Sequence, residues 1–226
     1  MEAAFKQIEW HLEILPRPAR KALDFLSNQS WLKRSPWYLA GGTALALQAG
    51  HRSSADLDFF TPKDNFSNGA LLRHFLKDPN WKTIINEEGT IYGEFFKAKV
   101  SFIAYPFFKP TRLPAWYGGV RVLNPLDLAV MKVITISQRG RKRDFIDLYW
   151  CAKNIEPLYE IIMRLKTQYP TVSHNYHHIL KSLVYFSDAE NDPMPSLYFD
   201  VSWPAVKRFF QKEIPGITNI IMKLDQ

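Results

Sequence analysis

The chain predicts an α/β fold of the α+β kind: a mixed β-sheet flanked by helices over residues 1–121, then a C-terminal helical domain over 122–226. Three features of the sequence point to it. Short runs rich in β-branched and aromatic residues recur between 37 and 105, bounded by Gly, Pro, Asn and Asp. The pair Gly41-Gly42 ends one of these runs and opens a helical one. From Pro125 onward the apolar residues fall at helical spacing and few strand signals remain.

Taken in order, Phe5, Ile8, Leu12 and Leu15 predict a helix over 4–27, broken around Pro16 and Pro18. Residues 37–40 form a short strand ending at the glycine pair, and 43–49 a helix. A second strand covers 56–60 and closes at Thr61-Pro62; a helix follows over 65–77. Residues 81–86, 90–96 and 99–105 read as strands, with Glu87-Glu88-Gly89 as a turn, and the proline-containing stretch 106–114 ends this half. Pro125 suits a first helical position, where its missing N–H costs nothing, and Leu126, Ala129, Val130, Val133 and Ile134 give that helix an apolar face. Helices over 143–154, 155–168, 174–186 and 202–212 follow.

Composition narrows the class. The 226 residues are 46% hydrophobic, as in an ordinary globular protein, and no apolar run approaches the roughly 18 residues needed to cross a bilayer. Cys151 is the only cysteine, which excludes an intrachain disulfide and multi-cysteine zinc sites. The first residues lack the basic and apolar blocks of a signal peptide, so a cytoplasmic location with no membrane partner is expected. The net charge is +7 and favours phosphate-rich partners. Arg139, Arg141, Lys142 and Arg143 crowd into one short run, which is either a solvated loop or a grip on an RNA backbone.

The chemistry concentrates at two motifs. Along a strand side chains alternate faces, so Asp56 and Asp58 point the same way and repel unless a cation or proton separates them. Two carboxylates suit Mg²⁺, which fills its other positions with water and substrate phosphates. Their alternative partners are Arg52 or backbone N–H groups. Gly41 and Gly42 lead into a helix N-terminus, whose free N–H groups bind phosphate, though a tight turn is their commoner use. Thr43 is placed either to cap that helix or to touch phosphate, and Arg52 either to meet a triphosphate or to neutralise the aspartates. Lys132 lies on an otherwise apolar helix, and Asp144 and Asp147 share a helical face beside the basic run. His174, His177 and His178 lack the acidic or cysteine companions of a metal site and read as helix-face histidines.

These motifs occur in a set order: Leu39-Ala40-Gly41-Gly42-Thr43-Ala44-Leu45, His51-Arg52 and Asp56-Leu57-Asp58-Phe59-Phe60, Lys132, then Lys142-Arg143-Asp144-Phe145-Ile146-Asp147-Leu148-Tyr149. That order resembles the AbiEii/AbiGii-type nucleotidyltransferase family, toxins of bacterial toxin–antitoxin and phage-abortive systems, within the polymerase-β-like nucleotidyltransferase superfamily. The resemblance spans about residues 30–155. It implies a nucleotidyltransferase core in which Gly41, Gly42, Thr43, Arg52 and Lys132 meet the triphosphate of an NTP. Asp56 and Asp58 would hold Mg²⁺ or Mn²⁺, and Lys132, Asp144 and Asp147 would complete the catalytic set. The implied reaction passes a nucleoside monophosphate to an acceptor hydroxyl on RNA, such as tRNA, or on protein; a cognate antitoxin is the implied partner. The chain departs from the superfamily at Ser101, where a third carboxylate is expected. Either Asp144 or Glu94 takes its place, or the fold binds nucleotide or RNA with little or no turnover.

Overall fold

The computed structural model describes residues 9–224. A 3-10 turn, Leu12–Ile14, precedes α1 (Arg17–Ser27) and α2 (Ser30–Lys33). Strand β1 (Tyr38–Ala40) runs directly into α3 (Gly41–Ala49); β2 (Leu57–Thr61) and α4 (Asn68–Leu72) follow. The meander β3 (Trp81–Glu87), β4 (Thr90–Phe95) and β5 (Ala98–Ala104) is succeeded by the hairpin β6 (Ala115–Tyr117) and β7 (Val120–Val122). The remainder is helical: α5 (Pro125–Arg139), α6 (Lys142–Asn154), α7 (Leu158–Met163), α8 (Leu165–Gln168), α9 (Tyr176–Ser182), α10 (Ser187–Glu190) and α11 (Trp203–Leu224).

The strands form one seven-stranded sheet in the order β3-β4-β5-β2-β1-β7-β6. It is mixed, with β2 parallel to β5 and β1 parallel to β7. Alternation on β2 sets the two faces: Leu57, Phe59 and Thr61 are buried, while Asp58 and Phe60 point the other way. The buried face carries an aromatic core in which Phe59 stacks on Phe102 at 5.1 Å, with Phe75 and Trp37 edge-on or tilted against Phe102. The opposite face is left for α5 and α6. Those two helices form a hairpin because Asn124 caps the Leu126 N–H at 3.0 Å, Pro125 begins α5, and Gly140 ends it at φ +46°. Among the described residues no helix is long and apolar enough to cross a membrane.

Several expected elements change. The helix over 4–27 begins outside the described residues, and its described part is the 3-10 turn plus α1, separated at Leu15 and Pro16. The helix over 65–77 shrinks to α4. Ser67 accepts from Ala70 N–H to start it, and past Leu72 the backbone tightens into i→i+3 bonds such as Phe75 N–H to Leu72 O before Pro79. β6 and β7 carry too few residues for an alternation signal. The stretch 155–168 splits into α7 and α8, and 174–186 into α9 and a turn. In contrast, α11 runs past Pro215. An internal proline costs about 3 kcal/mol, but Ile214, Ile217 and Ile221 are all buried on one face, each contributing about 1.5–3 kcal/mol. Burial wins.

Candidate active site

The exposed face of β2, the start of α3 and the α5–α6 hairpin enclose a cleft of about 280 Å³. Gly41, Gly42, Thr43, Asp56, Asp58, Lys132 and Asp144 all line it, so residues scattered over a hundred positions converge at one place.

The glycine turn is dictated by its neighbours. Gly41 has φ +70°, and a Cβ there would stand 2.8 Å from Asp58 Oδ2. A Cβ on Gly42 would overlap the Arg52 guanidinium. The bare backbone thus lets the N-terminus of α3 approach the acidic strand. The left-handed conformation alone costs an alanine about 1–2 kcal/mol. Gly41→Ala is therefore expected to lower stability by at least about that much, measured by denaturant unfolding against wild type. Thr43 does not cap the helix; Ala40 is the N-cap residue and makes no side-chain cap bond. Instead the buried Thr43 Oγ1 donates to Asp56 O at 2.5 Å and accepts from Ser54 Oγ at 2.8 Å, fixing the chain that leads into β2.

Asp58 is pushed above the usual carboxylate range by burial and by the charge of Asp56, with a hydrogen bond from Ser101 Oγ at 2.7 Å pulling the other way. Ser101 is its register partner on β5, and Tyr92 stands next in the row on β4. Asp56, 38% exposed, has its nearest cation in Arg143 Nη1 at 3.7 Å. Two hard oxygen donors facing one cleft, one of them resisting ionisation, fit a divalent cation such as Mg²⁺. No three His, Cys, Asp or Glu side chains among the described residues gather around one metal-sized point. Asp144 lines the cleft but does not gather with Asp56 and Asp58 around such a point. Glu94 does not either; it is exposed, pairs across the sheet with Lys99, and lies outside the cleft lining.

Behind the cleft lies a buried ionic network centred on Asp147, which is fully enclosed. Its oxygens accept from Arg52 Nε at 2.5 Å and Nη2 at 2.8 Å and from His51 Nε2 at 2.8 Å, and Lys132 Nζ forms an ion pair with Oδ2 at 2.7 Å. Burial alone would raise the Asp147 carboxyl, but the charges of Arg52 and Lys132, then the hydrogen bonds, hold it well below the usual range. Burial also opposes the charge on Lys132, yet Asp144 and Asp147 keep the ammonium protonated. Burial lowers His51 despite Asp147, so the ring is neutral and Nε2 carries the proton toward the carboxylate. Lys132 also donates to Asp144 Oδ1 at 2.6 Å.

The buried contacts of the structure bear on three expectations. Asp147 does not face the cleft; it is a positioning residue that holds Lys132 from behind. Arg52, read as meeting either a triphosphate or the aspartates, turns its fork onto Asp147 and gives Nη1 to Ser53 O at 2.8 Å, while still lining the cleft. Lys142, expected on RNA, is buried with Nζ donating to Glu190 O at 3.0 Å and Asp192 O at 2.5 Å. Of the basic run, Arg139 and Arg143 line the cleft, whereas Arg141 borders an adjoining basin and pairs with Asp192 at 2.8 Å. The histidines stay apart: His174 and His178 each bond a different backbone carbonyl. Tyr92, Lys99, Leu128 and Met131 join the lining without any motif to announce them. Only the sheet register and the face of α5 reveal them.

The chain is similar to several known proteins. Residues 25–215 match the family described as nucleotidyl transferase AbiEii toxin, type IV toxin–antitoxin system. An uncharacterised protein of Aquifex aeolicus (strain VF5) is 33% identical over 195 residues, covering 79% of this chain and 86% of the relative. The fold is similar to MenT4, a nucleotidyltransferase toxin of Mycobacterium tuberculosis H37Rv, at TM-score 0.55 and 14% identity over 90% of this chain and 86% of MenT4. It is also similar to an H. pylori protein provisionally assigned as a nucleotidyltransferase, at TM-score 0.52 and 17% identity over 91% of this chain and 96% of the other. With the glycine turn, the acidic pair and the lysine brought together in one cleft, and most of the chain matched, this protein belongs to the AbiEii nucleotidyltransferase toxin family.

Proposed function

We propose that the cleft binds an NTP with Mg²⁺ or Mn²⁺ and transfers its nucleoside monophosphate to an acceptor hydroxyl on RNA, such as tRNA, or on protein. The acceptor oxygen forms a bond to the α-phosphorus and gives up its proton to water, the bond from the α-phosphorus to the bridging oxygen of the β-phosphate breaks, and pyrophosphate leaves with that electron pair. The observation that carries this reading is the convergence of Gly41-Gly42, Asp56, Asp58 and Lys132 on one cleft. The first N–H groups of α3 point their partial positive charge at the triphosphate. Lys132 donates to Asp144, is ion-paired with Asp147, and keeps N–H capacity for a phosphate oxygen. Asp56 and Asp58 hold the metal, which when bound supplies charge stabilisation to the attacking and leaving oxygens. Arg139 and Arg143 at the rim draw in a polyanion. Residues 1–121 and 122–226 act as two lobes, one carrying the turn and the acidic pair, the other Lys132 and Asp144. In a bacterial cytoplasm the activity would be toxic and would be held in check by a cognate antitoxin.

Purified protein with Mg²⁺ and each labelled NTP is expected to transfer label to total RNA or to lysate protein and to release pyrophosphate. No transfer from any of the four NTPs would sink the enzymatic reading. Ser101 in the third-carboxylate position favours a second reading, binding without turnover. That version predicts a higher melting temperature with Mg²⁺–NTP and no pyrophosphate.

A further inference from the structure

We propose that the second oxygen of Asp144 recognises a hydroxyl of the nucleotide's ribose. This rests on the reading of the cleft as a nucleotide site. Asp144 lies in the first turn of α6 and lines the cleft. Its Oδ1 accepts from Lys132, whereas its Oδ2 is enclosed and has no hydrogen-bond partner. The nearest cation, Arg139 Nε, stands 3.7 Å away, beyond hydrogen-bond reach. A buried carboxylate oxygen left unpaired is costly, and what it lacks is a donor.

The donors on a nucleotide are its sugar hydroxyls and base N–H groups. The triphosphate offers only acceptors and like charge, so it belongs at α3 and Lys132 instead. The ammonium that would hold a phosphate is itself bonded to the other oxygen of Asp144. The ribose is the group joined directly to the phosphates, so a phosphate on Lys132 brings the sugar to Oδ2. The base then falls toward the apolar wall of Phe60, Ile103, Leu128 and Met131. Access is through Arg139, whose side chain is 58% exposed and lies over Oδ2 in the free protein. An incoming triphosphate offers that guanidinium a bidentate partner, which draws it away and uncovers the oxygen.

The test is calorimetric titration of the wild-type protein, in Mg²⁺, with each NTP and its 2′-deoxy and 3′-deoxy analogues. Loss of the recognised hydroxyl is expected to weaken binding by about tenfold or more, as for a hydrogen bond to a charged group. Asp144→Asn keeps an oxygen for Lys132 and turns an N–H donor to the cleft. It is expected to bring the ratio close to one by weakening the NTP. Equal affinity of wild type for an NTP and both of its deoxy analogues, or an Asn variant that keeps the wild-type ratio, would overturn the assignment. If the variant does not fold, the wild-type comparison decides alone. Absence of Mg²⁺-dependent binding by every nucleotide would instead overturn the nucleotide reading beneath it.

Discussion

Asp58→Asn is expected to abolish nucleotidyl transfer while leaving the protein at least as stable as wild type. The asparagine oxygen still accepts from Ser101 Oγ, so the side chain keeps its place beside Gly41. What disappears is one of the two charges offered to the metal. Loss of transition-state charge stabilisation of this kind lowers turnover on the order of 10²–10³-fold or more. The stability effect runs the other way because the folded protein raises Asp58 through burial and through Asp56. A carboxyl raised on folding stabilises below its unfolded pKa of about 3.9, and that contribution is lost as pH rises through the folded value. At neutral pH the ionised group therefore opposes folding, and its neutral isostere does not. Single-turnover rates at pH 7.5 and thermal melts of both proteins at pH 3 and pH 7.5 check the pair of claims, with the larger melting gain at pH 7.5. A variant that keeps wild-type turnover would remove Asp58 from the chemistry.

Asp147→Ala should be the most destabilising of the single changes considered. It strips the common partner from Arg52, Lys132 and His51, leaving two buried cations short of a counter-charge. Breaking a buried pair in this way costs about 3–5 kcal/mol. For a chain of this length that is roughly 6–20 °C in melting temperature. The acid profile identifies the cause. Asp147 is depressed on folding, so its stabilisation is complete above the unfolded pKa of about 3.9 and is lost only as pH falls through the still lower folded value. The gap between wild type and variant should stay level from pH 8 to pH 5 and close only well below pH 4. A gap that closes between pH 7 and pH 5 would assign the effect to His51 instead.

The groups that face the cleft were readable as motifs, because phosphate and metal chemistry demand particular residue types at short spacing. Gly41, Gly42, Asp56 and Asp58 sit on consecutive elements, and Lys132 and Asp144 on a single helical hairpin. The sequence does not separate a charge in the cleft from one behind it. Asp144 and Asp147 share a helix face, yet the three intervening rises carry Asp147 about 4.5 Å along the axis. That shift is enough to move it from the cleft wall into the network beneath. Lys142 looked like one more cation of a basic run until the carbonyls of Glu190 and Asp192, far along the chain, closed over it. In the fold the same division holds. Strands with a full alternation, β3 to β5, could be seen, while β6 and β7 owe their existence to pairing across the sheet and leave no local trace.

The close packing of Gly42, Arg52, Asp147 and Lys132 also constrains how the chain can vary through descent. A larger residue at 42 displaces the guanidinium at 52; a neutral residue at 52 leaves the acid at 147 short of a cation; a neutral residue at 147 frees the lysine that 144 alone must then hold. No one of these positions can drift by itself without a loss at another. A change at any one of the four is therefore expected to need a matching change at another if the cleft is to keep its shape.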